Sequence, residues 1–272
     1  MKKKFGIVAE KLNHSLSPTI HNYWLKQNKL IATYKKKELN PNEIDEFIDK
    51  FKKDKQYLGF NVTIPYKEIF FQYCNKVTKR AKKIKSINLI YKNNNNNIIG
   101  DNTDALGFKK TYQKLKVKNV KHVLLIGAGG AARAVLYTLN EKSIDNIDIF
   151  TRTLNRKKSL SSDFHFKKFT NKASSLRKKY DLIINSSSAG MLHQYKMKKP
   201  IINLVPHAKY IIDIVYNPLQ TELIIEANKN NIPCIGGLTM LVEQAKPSFE
   251  KWFKKSAQIN QSLYTILEKK LS

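Results

Sequence analysis

Between residues 127 and 132 the chain reads Gly127-Ala128-Gly129-Gly130-Ala131-Ala132, directly after the apolar run His122-Val-Leu-Leu-Ile. A first glycine permits a tight turn, a second lets backbone approach a pyrophosphate, and a small residue after them allows close helix packing. N–H groups at the start of the following helix would face the anion with the positive end of the helix dipole. The spacing by itself is weak; between a strand and a helix it signals dinucleotide binding, the alternative being a glycine turn with no ligand. About 20 residues further on, an NAD site needs a carboxylate for the ribose 2′-hydroxyl. The chain instead has Thr151-Arg152-Thr153-Leu-Asn-Arg156, and Asp148 sits inside the strand, too early. Two guanidinium groups beside two hydroxyls suit a 2′-phosphate, because arginine offers permanently charged, bidentate donors. NADP is therefore the expected cofactor; two exposed arginines on a helix are the plainer reading.

Three further clusters gather polar groups before a helix or at strand ends. Ser15-Leu-Ser17-Pro18 puts two hydroxyls just before a helix, and taken alone it reads as Ser17 capping that helix with proline in its first turn. Asn61-Val-Thr63-Ile-Pro65-Tyr-Lys67 ends a strand with an amide, a hydroxyl, a stiffened corner and an ammonium. Gly100-Asp101-Asn102-Thr103-Asp104 ends another with two carboxylates. Strand ends in α/β proteins face the ligand crevice, although each cluster could also be turn chemistry.

The elements that must position these groups alternate. Strands are expected over residues 5–9, 33–39 and 57–63, with helices over 18–28 and about 42–51. The run Asn93–Asn97 reads as the loop of a hairpin, and a helix follows over about 104–115. An apolar strand, the glycine turn and an alanine-rich helix then begin a new unit, with further strands at 146–150, 181–185 and 210–215. Helices over 238–254 and 257–270 end the chain. The expected fold class is α/β with two domains. The expected division is residues 1–104, joined by the returning C-terminal helices of 240–272, as a substrate-binding domain, and residues 105–239 as a Rossmann-like NADP domain.

Composition narrows the class. With 272 residues and 42% hydrophobics the chain can bury a substantial core and is not disordered. No apolar run approaches the roughly 20 residues of a membrane span, and the basic start lacks a signal peptide's apolar region. Cys74 and Cys234 fit neither a disulfide framework nor zinc and read as packing residues, while His165, His193 and His207 lack metal-ligand spacing, so no metal is expected. A cytosolic globular protein is the expectation. The 50 basic residues against 21 acidic ones, a formal +29, raise nucleic acid or an anionic membrane as partners. Only five of the 50 are arginine, and the lysines run along the whole chain, so a solvated surface is the preferred reading. Phe249, Trp252 and Phe253 fall at core spacing on the penultimate helix.

Taken together the motifs resemble the shikimate dehydrogenase family. Those that carry the resemblance run in family order: Ser15-Leu-Ser17-Pro18, Asn61-Val-Thr63-x-Pro65-x-Lys67, Asp101-Asn102-Thr103-Asp104-x-x-Gly107 and Gly127-Ala-Gly-Gly-Ala-Ala-Arg-Ala134. Ser188-Ala-Gly-Met191, Asp213-Ile-Val-Tyr216-Asn-Pro218 and Gly237-Leu-x-Met240-Leu-Val-x-Gln244-Ala-x-x-Ser248-Phe249 complete the set. The resemblance implies an NADP-dependent oxidoreductase interconverting 3-dehydroshikimate and shikimate in the pathway to chorismate and the aromatic amino acids. It implies that Ser15 and Ser17 bind the substrate carboxylate and that Lys67 and Asp104 flank the reacting oxygen. Thr63, Asn88, Tyr216 and Gln244 would hold the ring hydroxyls. Gly127 to Ala131 would form the pyrophosphate turn, with Thr151, Arg152, Thr153 and Arg156 at the 2′-phosphate. Ile214, Gly237 and Met240 would lie near the nicotinamide. The implied partner is the small-molecule substrate, with no nucleic acid and no membrane; a homodimer is compatible with it.

Some positions depart from the family pattern. Lys85-Ser86-Ile87-Asn88-Leu89 stands where the family usually has Gly-Ala-Val-Asn-Thr, Thr151 stands for an asparagine, Asn185-Ser186-Ser187 for Asn-Ala-Thr, and Lys79 where relatives often carry an acid. Two alternatives stay open. One is a quinate/shikimate dehydrogenase of broader substrate range that uses NAD, against which the serine pair and the arginine pair both argue. The other is a non-catalytic, basic, nucleic-acid-binding relative, against which Lys67 and Asp104 argue.

Overall fold

The computed structural model describes residues 2–271. Strand β1 (Lys3–Ala9) buries Phe5 to Ala9 without alternation, as a strand flanked on both sides and covered on both faces must. Its neighbours β2 (Ala32–Glu38) and β3 (Tyr57–Val62) are parallel to it, with Phe5 opposite Tyr34 and Ile7 opposite Asn61. Helices α1 (Ser17–Gln27) and α2 (Ile44–Lys53) make the crossovers, and α2 buries Ile44, Phe47, Ile48 and Phe51 on one stripe. β4 (Lys76–Val77) and α3 (Lys79–Ile84) follow, and then β5 (Leu89–Lys92) and β6 (Ile98–Asp101) form the antiparallel hairpin. The asparagine run is its turn: the Asn93 carboxamide oxygen accepts from the N–H groups of Asn95 and Asn97 at 3.0 and 2.9 Å. The sheet order is β2-β1-β3-β5-β6-β4.

The second sheet is wholly parallel. It is built from β7 (Val123–Ile126), β8 (Ile147–Phe150), β9 (Lys168–Thr170), β10 (Tyr180–Asn185), β11 (Ala208–Asp213) and β12 (Cys234–Ile235) in the order β12-β11-β10-β7-β8-β9. Helices α4 (Asp104–Lys114), α5 (Gly130–Asn140), α6 (Lys157–Ser161), α7 (Lys199–Ile202) and α8 (Glu222–Lys229) connect or flank these strands, and α9 (Gly237–Phe253) and α10 (Gln261–Glu268) end the chain. The order reverses between β7 and β10, the switch point where open α/β sheets bind ligands beyond their carboxyl ends.

The chain forms two compact units. One runs to Thr103 and takes in Gln244–Lys270; the other is Asp104–Glu243. The divide therefore cuts α9 near its first turns. The C-terminal segment completes the first unit's core: Phe249 packs against Trp24, the Trp252 indole N–H donates to the Ile90 carbonyl at 3.2 Å, and the Trp24 indole donates to the Gln258 carbonyl at 2.8 Å.

Two details differ from the sequence expectation. Ser17 does not cap α1: Leu16 occupies the cap position without a side-chain bond, and Ser17 is the first helical residue, its N–H donating to the Ser15 hydroxyl at 3.4 Å. α10 begins at Gln261 rather than 257, because the Asn260 side chain caps it by accepting from the Leu263 N–H at 3.0 Å.

Candidate functional site

In the first unit the strand ends converge on one buried hydrogen-bond network. At the end of β3 the Asn61 amide donates to the Asn88 carbonyl at 2.9 Å and to the Ser248 hydroxyl at 3.0 Å, while its oxygen accepts from the Tyr34 hydroxyl at 2.8 Å. Asn88 donates to the Thr103 hydroxyl at 2.9 Å and to the Gln244 oxygen at 3.1 Å, and its own oxygen accepts from the Thr103 N–H at 2.6 Å. Ser248 closes the ring with Thr103 at 3.2 Å. Asn88 and Gln244 are thus in direct contact, and each has its orientation set by a neighbour. Buried polar groups of this kind rigidify a site because losing any one leaves others unpaired.

Thr63 and Lys67 sit on the corner after β3. The Thr63 N–H donates to the Val8 carbonyl at 3.0 Å, and the Lys67 carbonyl accepts from the Ile87 N–H at 2.7 Å. Between them Tyr66 is a fully buried plug whose hydroxyl donates to the Leu39 carbonyl at 2.6 Å. The corner is held at three points, leaving Thr63 and Lys67 half-buried. Ser15 is also half-buried, and Ser17 is buried at the foot of α1. Asp104 belongs to the other unit, where it is buried and opens α4.

The segment before Asp104 is braced by a residue that sequence reading passed over. Arg80 donates to both oxygens of Asp101 at 2.8 Å and, through Nε, to the Asn102 carbonyl at 2.6 Å. Its rarity in a lysine-rich chain was the available signal. His21, stacked on Tyr34 with ring centroids 4.2 Å apart, was equally silent in sequence. Neither of its ring nitrogens has a hydrogen-bond partner. Burial pushes its pKa down to about 3, against a weaker upward pull from Asn61, which lies beyond hydrogen-bond geometry.

In the second unit the glycine turn sits at the switch point. The Gly127 N–H donates to the Phe150 carbonyl at 2.8 Å, and its φ of +102° is one that a side chain would strain. A Cβ on Gly129 would meet nothing within 4 Å, so the backbone there is open to a ligand. Gly130 begins α5, with Ala128 buried and Ala131 half-buried beside it. At the end of β8, Thr151 is half-buried and bonded through its N–H to the Thr170 carbonyl at 3.0 Å; Arg152, Thr153 and Arg156 are exposed. The Arg152 guanidinium lies 4.2 Å from the Tyr195 ring centroid. Asp148 is engaged elsewhere, accepting from the Tyr180 hydroxyl at 2.7 Å. An open glycine backbone, an eleven-residue helix behind it and two exposed arginines at the adjacent strand end fit a phosphorylated dinucleotide.

After β11 the chain passes through Ile214 and Tyr216, both half-buried, and returns at Gly237. The Gly237 N–H donates to the Val215 carbonyl at 3.1 Å, and a Cβ there would run into the Ile214 carbonyl, which is why glycine is needed. Met240 is buried one turn later. Asp213 anchors the passage: its carboxylate accepts from the Thr221 hydroxyl at 2.6 Å, the Asn185 amide at 2.9 Å and the Val215 N–H at 3.0 Å. Burial still pushes its pKa up to about 6 despite those bonds. Among the described residues no group of three or more His, Cys, Asp or Glu side chains could hold a metal, and no helix is long and apolar enough to cross a membrane.

Comparison with known proteins adds independent findings. Residues 7–90 match the model of the shikimate dehydrogenase substrate binding domain, and residues 109–230 match that of the shikimate/quinate 5-dehydrogenase family. A protein of Pelagibacter ubique named shikimate dehydrogenase (NADP+) is 33% identical over 98% of this chain and 100% of its own length. A crystal structure of a shikimate dehydrogenase in complex with NADP+ superposes with a TM-score of 0.88 at 28% identity, covering 100% of this chain and 96% of the other. The 1.5 Å crystal structure of shikimate dehydrogenase 1 from Peptoclostridium difficile gives 0.84 at 29% identity, over 99% and 97%.

Proposed function

The chain belongs to the shikimate dehydrogenase family, and from that premise we propose that it catalyses the reversible, NADPH-dependent reduction of 3-dehydroshikimate to shikimate. In this reading NADPH supplies the hydride to the substrate ketone. The Lys67 ammonium gives its proton to the oxygen as it becomes an alkoxide, and neutral Lys67 takes that proton back in the oxidative direction. Asp104 is the second member of this acid–base pair. Ser15 and Ser17 bind the carboxylate at the start of α1, and Thr63, Asn88, Tyr216 and Gln244 take the ring hydroxyls. The Asn61–Asn88–Thr103–Ser248 network keeps the Asn88 and Gln244 amides oriented before substrate arrives, which lowers the ordering cost at the transition state.

Gly127, Ala128, Gly129, Gly130 and Ala131 receive the pyrophosphate, Thr151, Arg152, Thr153 and Arg156 the 2′-phosphate, and Ile214, Gly237 and Met240 the nicotinamide end. The observation that carries this assignment is the backbone left open at Gly129, in the same unit as two exposed arginines at the adjacent strand end. The partners expected are small molecules rather than nucleic acid, with self-association into a homodimer decided by sedimentation.

The test is absorbance at 340 nm with shikimate or quinate and NADP+ or NAD+. Shikimate with NADP+ is the expected pair, and Lys67→Ala is expected to lower kcat by on the order of 10²–10⁴ with a smaller change in KM. Preference for quinate and NAD+ would overturn the substrate and cofactor assignment, and an undiminished Lys67→Ala would overturn the role of the lysine.

A further inference from the structure

We propose that Arg133 is a positioning residue for the 2′-phosphate arginines and thereby sets the preference for NADP over NAD; this builds on the assignment of Arg152 and Arg156 above. Arg133 lies one turn into α5, where its N–H donates to the Gly129 carbonyl at 3.1 Å. Its side chain is 2% exposed, and among the described residues it is the one lysine or arginine that is buried. The guanidinium pairs with Asp163, itself 7% exposed, donates to the Ser159 hydroxyl at 3.3 Å, and lies 5.3 Å from the Phe164 ring centroid. Ser159 is in α6, and Asp163 and Phe164 lie just past its C-cap, Ser162.

The far side of these contacts is what gives them meaning. Arg156 is the residue from which α6 starts, and its carbonyl accepts from the Leu160 N–H at 3.0 Å. One buried cation therefore ties the helix that begins at the glycine turn to the short helix that begins at Arg156. α6 has five residues and no side-chain cap, too little to hold its own geometry. A buried ion pair is no better for stability than well-packed apolar residues of the same volume. What the pair adds is a fixed distance between the pyrophosphate turn and the arginines beyond it. Arg133 acts on the ribose phosphate from behind, without touching it.

The experiment measures NADP+ and NAD+ binding to the full-length protein by calorimetry, so the readout is affinity rather than turnover. Three variants are compared with the parent: Ser159→Ala, Asp163→Asn and the apolar pair Arg133→Met with Asp163→Leu. NADP+ is expected to bind about tenfold more weakly to the two ion-pair variants and about two- to threefold more weakly to Ser159→Ala, with NAD+ binding unchanged within about twofold. If Asp163→Asn does not fold, the apolar pair and Ser159→Ala decide by the same ratio. Equal weakening of both dinucleotides, or no change in either, overturns the proposal. Arg152→Gln with Arg156→Gln serves as the reference arm. If that change leaves the NADP+ to NAD+ ratio intact, the arginine assignment falls and the proposal with it. If it abolishes the ratio while the Arg133 variants do not, only the present inference fails. In the double-glutamine background, Asp163→Asn is expected to have no further effect on the ratio.

Discussion

Ser86 is a fully buried hydroxyl without a hydrogen-bond partner, at a position where the family pattern has alanine. Its backbone carbonyl is used, accepting from the Asn102 amide at 2.8 Å, so only the side-chain oxygen is surplus. Ser86→Ala is expected to raise the unfolding free energy by about 1 kcal/mol in urea denaturation, since it removes a desolvated polar atom and little volume; a destabilised variant would show that the hydroxyl has a use. His21 and Asp213 make opposed contributions to pH dependence. Above pH 6.5 His21 is neutral folded and unfolded; as pH falls towards about 3 only the unfolded chain gains the proton, so stability drops by roughly 3 to 5 kcal/mol. Asp213, raised from 3.8 to about 6, is protonated in both states at low pH, and its contribution is lost as pH rises through about 6, removing roughly 3 kcal/mol. Denaturation between pH 4 and 8 separates them. His21→Phe should lose less stability on acidification than the parent, and Asp213→Asn should lose less as pH rises from about 4 to about 6. Parallel curves for all three proteins would refute both assignments.

Lys85 ends α3 in the left-handed region at φ 54°, the conformation for which glycine is the usual helix terminator. The departure from the family's glycine is therefore a strained cap, and Lys85→Gly is expected to be neutral or to stabilise by up to about 1 kcal/mol in the same measurement. A loss would mean that the lysine side chain contributes contacts outweighing the strain. At this scale sequence legibility follows apolar patterning. α2 and β7 were readable because their buried residues repeat at helical or continuous strand spacing. α3 was not, because only Ala81 and Ile84 are buried among its lysines, and β4 and β12 are two residues long. The candidate site divides in the same way. The glycine turn and the Asn61–Lys67 corner are local and could be read directly, whereas Ser248 meets Asn61 from 187 positions away and Arg133 meets Asp163 from 30. Local spacing encodes the first kind; only the tertiary fold encodes the second.

A chain with 50 basic and 21 acidic residues repels itself in the folded state. Raising NaCl from about 0.05 to 0.5 M shortens the screening length to a few ångströms and is expected to raise Tm, measured by scanning calorimetry; a flat or falling Tm would mean that the lysines are spaced widely enough not to interact. The division into units bears on a different process. The stretch Asp104–Glu243 is continuous and holds every strand of the parallel sheet, whereas the first unit needs Gln244–Lys270 to supply Phe249, Trp252, Leu263 and Leu267. During synthesis the residues up to Thr103 leave the ribosome first yet stay incomplete, with the seat for the aromatic rings of α9 uncovered. The nucleotide-fold unit can complete while the rest is still being made. The first unit's core therefore closes only once Gln244–Lys270 has been made, and until then its uncovered apolar seat is the surface with most to gain from a chaperone's shelter.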